Sequence, residues 1–264
     1  MIALKHYDES NYPGTANTIH YAQAELTQSA GILLRLPQEV IAQAIVLLQR
    51  FTVMNASTDA SEISAKDASA ASLYLTAKLS FTPVSPRSLL TVYHYLQSPS
   101  SPLVLLNPPT NSMTSGSDPS IHHLSEGNYE ASRNRLYLHE SIILKALAFD
   151  THVALPHPLA LTYLSVLGLQ TNTELTIRVL AHLNTGLLSP QFLYLTHQPN
   201  ALAVAAIYLA AKEVEVKLVD GNWWEVFDVD REDLGFLVVS LQGIPSFVKE
   251  DIMHHWKGKT VPLG

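Results

Sequence analysis

Apolar residues recur at intervals of three and four along most of the chain, and no stretch alternates in the manner of a half-buried strand. The pattern predicts a first helix over 18–31, closed by Gly31 and the extended LLRL before Pro37. Pro37 opens PQEVIAQAIVLLQRF, where Val40, Ile41, Ala44, Ile45, Leu47 and Leu48 form a broad apolar stripe. Asp59 and Glu62 make a D-x-x-E capping pattern ahead of a third helix that carries residues 71–78. Ser85 followed by Pro86 caps a fourth helix through LLTVYHYL, and a longer helix covers 129–149. The second half repeats the plan. Pro158 starts LALTYLSVLGL, 174–188 is helical, Pro199 starts another helix, 222–227 is a short one, and Asp230 with Asp233 caps REDLGFLVVSLQGI. The expected class is all-α, two sets of about five helices.

One segment occurs twice. ASLYLTAK at 71–78 returns as AAIYLAAK at 205–212, with five of eight positions identical and the others exchanging Ser for Ala, Leu for Ile and Thr for Ala. A period above a hundred residues is too long for a solenoid and points to a duplicated unit. Alanine at Ala65, Ala68, Ala71 and Ala77, and again at Ala203, Ala206 and Ala210, lets neighbouring helices approach to roughly 8 Å, as a helix at the centre of a bundle requires. Between them, 97–128 holds five prolines, eight serines and only two charged residues, Asp118 and Glu126, the composition of a long inserted loop. The expected units are therefore 1–150, which includes that insertion, and 151–264.

Charge and composition narrow the function. The chain carries a net charge of −7 with no clustered Lys/Arg run, which disfavours nucleic acid as a direct partner. No charge falls between Arg178 and Lys212, yet Pro190, His197, Gln198, Pro199 and Asn200 interrupt that stretch, so no membrane span is expected. The start, MIALKHYDESNYPG, lacks the regions of a signal peptide, and an intracellular protein is expected. Absence of cysteine excludes disulfides and thiolate chemistry. Phosphate-loop, dinucleotide, nucleophile-elbow and H-E-x-x-H motifs are all missing. The side chains of the adjacent His122/His123 and His254/His255 pairs diverge on a helix, which disfavours a metal site at either. The stretch DVDRED at 228–233 begins like a calcium loop but lacks its glycine and distant glutamate, and is a helix cap. Neither a metal nor a cofactor is expected, and no catalytic constellation is present. Trp223 and Trp224 are expected as core anchors, His152 and His157 as residues flanking a turn, and Ser98, Ser101 and Ser189 precede proline.

Two helical repeats with alanine-rich central helices resemble the cyclin box. The lysine that ends ASLYLTAK is Lys78, and HESIILKALAFD supplies the glutamate and following apolar pattern of the cyclin fifth helix, with Glu140, Leu144, Lys145 and Phe149. AGILLRLPQ at 30–38, FDTHVALPHPLALTYLSVLGL and NWWEVF are similar to the cyclin L branch, a transcription- and splicing-associated group. The resemblance covers roughly 18–244. It implies a nuclear regulatory subunit, not itself an enzyme, that activates a cyclin-dependent protein kinase. Lys78 and Glu140 would then grip the backbone of the kinase's regulatory helix, with Leu79, Leu144 and Phe149 packed against it. Where cyclins follow the lysine with two acids after an apolar residue, this chain has Leu79, Ser80 and Phe81. The docking motif of cell-cycle cyclins and the arginine-serine tail of cyclin L proteins are not found in the 264 residues. A transcription-factor-B-like DNA-binding core and a kinase-independent helical scaffold are the alternatives. The charge disfavours the first.

Overall fold

In a computed structural model of the chain, which describes residues 15–55, 63–98, 101, 124–219 and 221–252, the two alanine-rich segments become the two most enclosed helices. The first five helices are α1 (Thr15–Leu33), α2 (Gln38–Asn55), α3 (Ala65–Leu79), α4 (Pro86–Leu96) and α5 (Glu126–Ala146). The second set comprises α6 (Pro156–Val166), α7 (Thr173–Leu187), the single turn α8 (Leu193–Thr196), α9 (Pro199–Glu213) and α10 (Arg231–Phe247). A 3-10 turn at Trp223–Phe227 precedes α10, and a π turn at Val248–Ile252 follows it. Among the described residues there is no strand, and no helix is long and apolar enough to cross a membrane.

Each set surrounds its alanine-rich helix. Every residue of α3 from Ala68 to Ala77 is buried, and α9 is buried from Ala201 to Ala211 apart from Tyr208. Helices α1, α2, α4 and α5 pack around α3, while α6, α7, α10 and the 3-10 turn pack around α9. Two apolar cores result. The sets are joined by α2, whose buried Gln49 amide donates to the Leu187 carbonyl at 2.9 Å, and whose Arg50 donates to the His152 carbonyl at 2.8 Å. Ring contacts between His20 and Phe192, and between Tyr21 and Phe247, extend the seam along α1.

Several ends differ from expectation for physical reasons. Helix α1 runs through Gly31 to Leu33 and turns at Arg35, whose φ of 57° lies in the left-handed region. Gly31 serves packing instead: a Cβ there would sit 2.5 Å from Ile41 Cγ1 and 2.7 Å from its Cδ1. Helix α3 is capped by Ser64, which accepts from the Asp67 amide at 3.1 Å, whereas Asp59 and Glu62 lie outside the described residues. Helix α5 starts three residues early and ends at Ala146, because the chain turns left-handed at Ala148 and Phe149. Helix α6 starts at Pro156 instead of Pro158. Asp230 precedes α10 but makes no side-chain cap bond. Trp223 is buried, and Trp224 is partly buried against the second core. His157 faces the Asn184 amide oxygen at 3.0 Å. Most of 97–128, and all four residues of the two adjacent His pairs, lie outside the described residues.

Two predictions follow from α1. Gly31→Ala forces the Ile41 side chain aside in a filled core and should cost about 1–3 kcal/mol, read by urea denaturation. Glu25 on the same helix is partly buried, and burial pushes its carboxyl up from 4.5 to about 7. The folded chain thus holds that proton more tightly than the unfolded chain. The stabilisation is complete below about 4.5 and is lost as pH rises through about 7. Glu25→Gln stays neutral throughout, so its melting temperature should exceed that of the native chain by a margin that opens across this window. His20 is shifted downward by burial and acts in the opposite sense, and it is common to both proteins. A margin independent of pH would refute the assignment to Glu25.

Candidate functional site

Lys78 closes α3, in its last turn, where the positive charge also opposes the negative end of the helix dipole. Glu140 projects from the middle of α5. The lysine Nζ donates to Glu140 Oε1 at 2.6 Å; the glutamate side chain is only 9% exposed and the lysine 46%. A solvated helix face is therefore excluded for Glu140. A buried carboxylate needs a partner, and Lys78 supplies it across 62 positions of sequence.

The neighbouring pair fixes the geometry. His139 Nδ1 lies 3.7 Å from Asp67 Oδ2, so adjacent residues of α5 reach two points of α3 that are eleven positions apart. At 1.5 Å per residue those points are separated by roughly 16 Å. From adjacent positions on α5, His139 thus reaches towards the start of α3 and Glu140 towards its end. Tyr74 and Tyr137 pack together with ring centroids 6.0 Å apart, and Lys78 Nζ sits 5.1 Å from the Tyr74 ring centre. Burial, then the neighbouring Tyr137, pushes the Tyr74 hydroxyl up to about 12, so it remains a neutral group at ordinary pH. These tyrosines escape a motif search. Their signal is spacing, since Tyr74 stands four residues before Lys78 and Tyr137 three before Glu140.

Around the ion pair the surface is apolar. Leu79 is 61% exposed, Phe149 is 69% exposed, and Phe81 is fully exposed. Tyr137 and Leu138 are exposed as well. Leu144 differs: it is partly buried against the first core. Its carbonyl accepts the Phe149 amide at 2.8 Å, and the Lys145 carbonyl accepts the Ala148 amide at 3.0 Å. This is the Schellman arrangement, with alanine at the left-handed position that glycine usually fills (φ 50°) and Phe149 also left-handed (φ 64°). The following chain is tied down. Asp150 accepts from the His152 amide, and Arg50 holds the His152 carbonyl. After α3, the Ser80 hydroxyl donates to the Ala77 carbonyl, accepts the Thr82 amide and lies 2.9 Å from the Thr82 hydroxyl. That one serine organises the turn which presents Phe81.

The chain resembles known proteins along most of its length. The chain is 28% identical to human cyclin-L2 over 244 residues, 91% of this chain and 42% of that protein. It is 31% identical to human cyclin-L1 over 217 residues, 80% of this chain and 36% of that protein. Zebrafish (Danio rerio) cyclin-L1 matches at 30% over 226 residues, 83% of this chain and 40% of that protein. The chain thus spans about two fifths of the length of the curated relatives it matches. No family model matches. Among solved structures, a chain of the yeast RNA Pol II CTD kinase CTDK-1 complex superposes with a TM-score of 0.64 at 14% identity, over 89% of this chain and 67% of that one. A chain of the CAK complex from Chaetomium thermophilum bound to ATP-γ-S gives 0.56 at 14% identity, over 94% and 68%.

This is a cyclin L-like chain with the tandem cyclin-box fold.

In this cyclin L-like chain the second repeat offers an internal contrast. Lys212 occupies the place of Lys78 at the end of α9 and is exposed. Its neighbour Glu213 meets His182 at 3.1 Å, and no ion pair joins Lys212 to another described residue. Lys78→Ala would strand a buried carboxylate and should destabilise the chain by about 1–3 kcal/mol. Lys212→Ala should change stability by less than about 0.5 kcal/mol. Chemical denaturation of the two variants side by side measures the difference. Equal effects would mean that the Lys78–Glu140 pair contributes nothing to the fold.

Proposed function

We propose that this chain is the regulatory subunit of a cyclin-dependent protein kinase of the transcription and splicing group, that it acts in the nucleus, and that it has no catalytic activity of its own. The observation that carries the proposal is a buried glutamate paired with a half-exposed lysine, set among exposed apolar side chains that do nothing for the fold. An ammonium has three donors, and Lys78 uses one on Glu140. The remaining donors suit backbone carbonyls of a partner helix end, and the second oxygen of Glu140 suits a backbone amide. Leu79 and Phe149 supply apolar area beside this grip, and Leu144 supports Phe149 from behind. The names of the cyclin L relatives and the kinase-complex origin of the structural neighbours support the same reading. The division at 150/151 belongs to it, supported by the two apolar cores, of which the first also takes in Leu187 of α7.

Activation would then be a population shift. A kinase whose regulatory helix moves between two positions is held by the cyclin in the one that assembles its lysine, glutamate and magnesium ions. The cyclin needs only greater affinity for that position.

The test is binding and activation of a cyclin-dependent kinase by the Lys78→Ala/Glu140→Ala double variant, with circular dichroism to confirm folding. Removing both charges leaves neither stranded. Loss of hydrogen-bonding charges from a buried interface costs about 2 kcal/mol or more, which is roughly a thirtyfold fall in affinity. Lys212→Ala should bind as the native chain does. Full activation by the double variant would remove both residues from the interface, and equal damage from Lys212→Ala would move the partner to the second repeat.

A further inference from the structure

The opposite end of α3 carries a second charged feature that the kinase reading leaves unused. A cleft of about 60 Å³ opens between the first turn of α3, α4 and α5, lined among others by Lys66, Asp67, His94, Gln97, Ser132 and Arg135. Lys66 comes from α3 and Arg135 from α5, and the guanidinium is close enough to disfavour the Lys66 charge. Burial lowers the Lys66 ammonium from its ordinary value, more than Asp67 beside it restores. No hydrogen bond or ion pair joins either Lys66 or Arg135 to another described residue. The Asp67 carboxylate is directed to His139 at 3.7 Å, and its amide is taken by the Ser64 cap.

Partly buried Lys66 and exposed Arg135 share the cleft with one carboxylate among the described lining residues, Asp67, so an anion that joins the two cations is favoured. A guanidinium presents paired donors to tetrahedral oxygens, and an ammonium adds a mobile point charge. The start of a fifteen-residue helix contributes its positive dipole end in the same place. A dianion gains more from this set than a carboxylate does, because the single negative group in the cleft is outnumbered. We propose that the cleft formed by Lys66, Arg135 and the first turn of α3 binds a phosphomonoester. Lys66 and Lys78 are twelve positions apart, roughly 18 Å along the helix axis, so this site is independent of the kinase-binding face.

The same chemistry is offered by a phosphorylated serine or threonine in a polypeptide and by free phosphate, and the experiment separates them. The full 264-residue chain is titrated with a phosphoserine peptide, with its unphosphorylated counterpart, and with inorganic phosphate, using calorimetry at fixed ionic strength. The expected result is saturable binding of the phosphopeptide, absent for the plain peptide. Affinity should fall about tenfold or more in Lys66→Gln and in Arg135→Gln, and should be unchanged in Lys78→Ala. Both glutamine variants retain the side-chain stem at positions that are at most partly buried, and circular dichroism confirms their folding. Saturable binding of inorganic phosphate with the same dependence on Lys66 and Arg135 would support the site with the free ion as its ligand. Weak, unsaturable phosphate binding that both variants retain means an adventitious ion only and overturns the proposal. Equal affinity for the two peptides, or full affinity in the Lys66→Gln/Arg135→Gln double variant, overturns it as well.

Discussion

A helix enclosed on every side has no solvent face on which to carry charge. From Ala68 to Ala77 α3 is in that position, and its sequence obeys the restriction by using alanine, leucine, tyrosine and hydroxyl residues only. The hydroxyls of Ser69 and Thr76 are satisfied internally, whereas the buried Ser72 hydroxyl has no hydrogen-bond partner among the described residues. Ser69 bridges the Thr27 hydroxyl of α1 and the Tyr93 hydroxyl of α4, each at 2.7 Å, and Thr76 donates back to carbonyls of its own helix. Lys66, Asp67 and Lys78 can therefore occur only at the two ends. Function follows this restriction. Both charged features of the first repeat, the Lys78–Glu140 pair and the Lys66–Arg135 cleft, stand where the enclosed segment stops.

Helix α5 supplies the partners at both of those ends. One short segment, Arg135 to Glu140, serves them through side chains on different faces: Arg135 and His139 near the start of α3, Glu140 at its end. The second repeat shows what happens without this. Helix α9 is as enclosed as α3 and also carries a lysine in its last turn, but there the adjacent carboxylate, Glu213, faces His182 of α7 and not the lysine. Two related octapeptides thus end on a lysine paired with a buried carboxylate in one repeat and on an exposed lysine in the other. The sequence repeat specifies enclosure; the partner helix decides the chemistry.

The all-α class and the two enclosed helices were legible because proline starts and small-residue faces are local signals. Pro86 and Pro199 each open a helix as read, and the buried alanines fall where the pattern places them. What escaped depends on tertiary approach. Gly31 reads as a terminator, yet its conformation is helical and its purpose is the approach of Ile41. Among the described residues, the left-handed turns after α1, α5 and α9 fall at Arg35, Ala148 and Glu215, none of which advertises one, while Gly168 follows the familiar rule at the end of α6. The turn α8 is too short to have a period. Glu140 lies in EGNYEASRNRLYLHESIILKA, whose polar content suggests solvent on most sides; burial by α3 cannot be seen from that string. The resemblance to cyclins singled out Lys78 and Glu140, but only the fold shows that they meet. No short-range pattern links Lys66 with Arg135.

The turn after α5 bears on why so much apolar surface is left uncovered. Two consecutive residues with side chains, Ala148 and Phe149, hold positive φ, each at a cost of order 1–2 kcal/mol that glycine would relieve at the first position. Gly168 occupies the matching place after α6, where the same pair of backbone bonds forms without that strain. Two strained residues persist only where the surroundings over-determine them, and here Asp150, His152 and Arg50 do so from the far side of the turn. The fold gains no burial in return, since Phe149 points into solvent. The turn satisfies the last carbonyls of α5 and fixes an aromatic ring beside a buried ion pair, which under the proposed kinase-binding role prepares the face in advance of its partner. The ordering cost of that ring is met during folding, so less of it remains to be met when the partner binds.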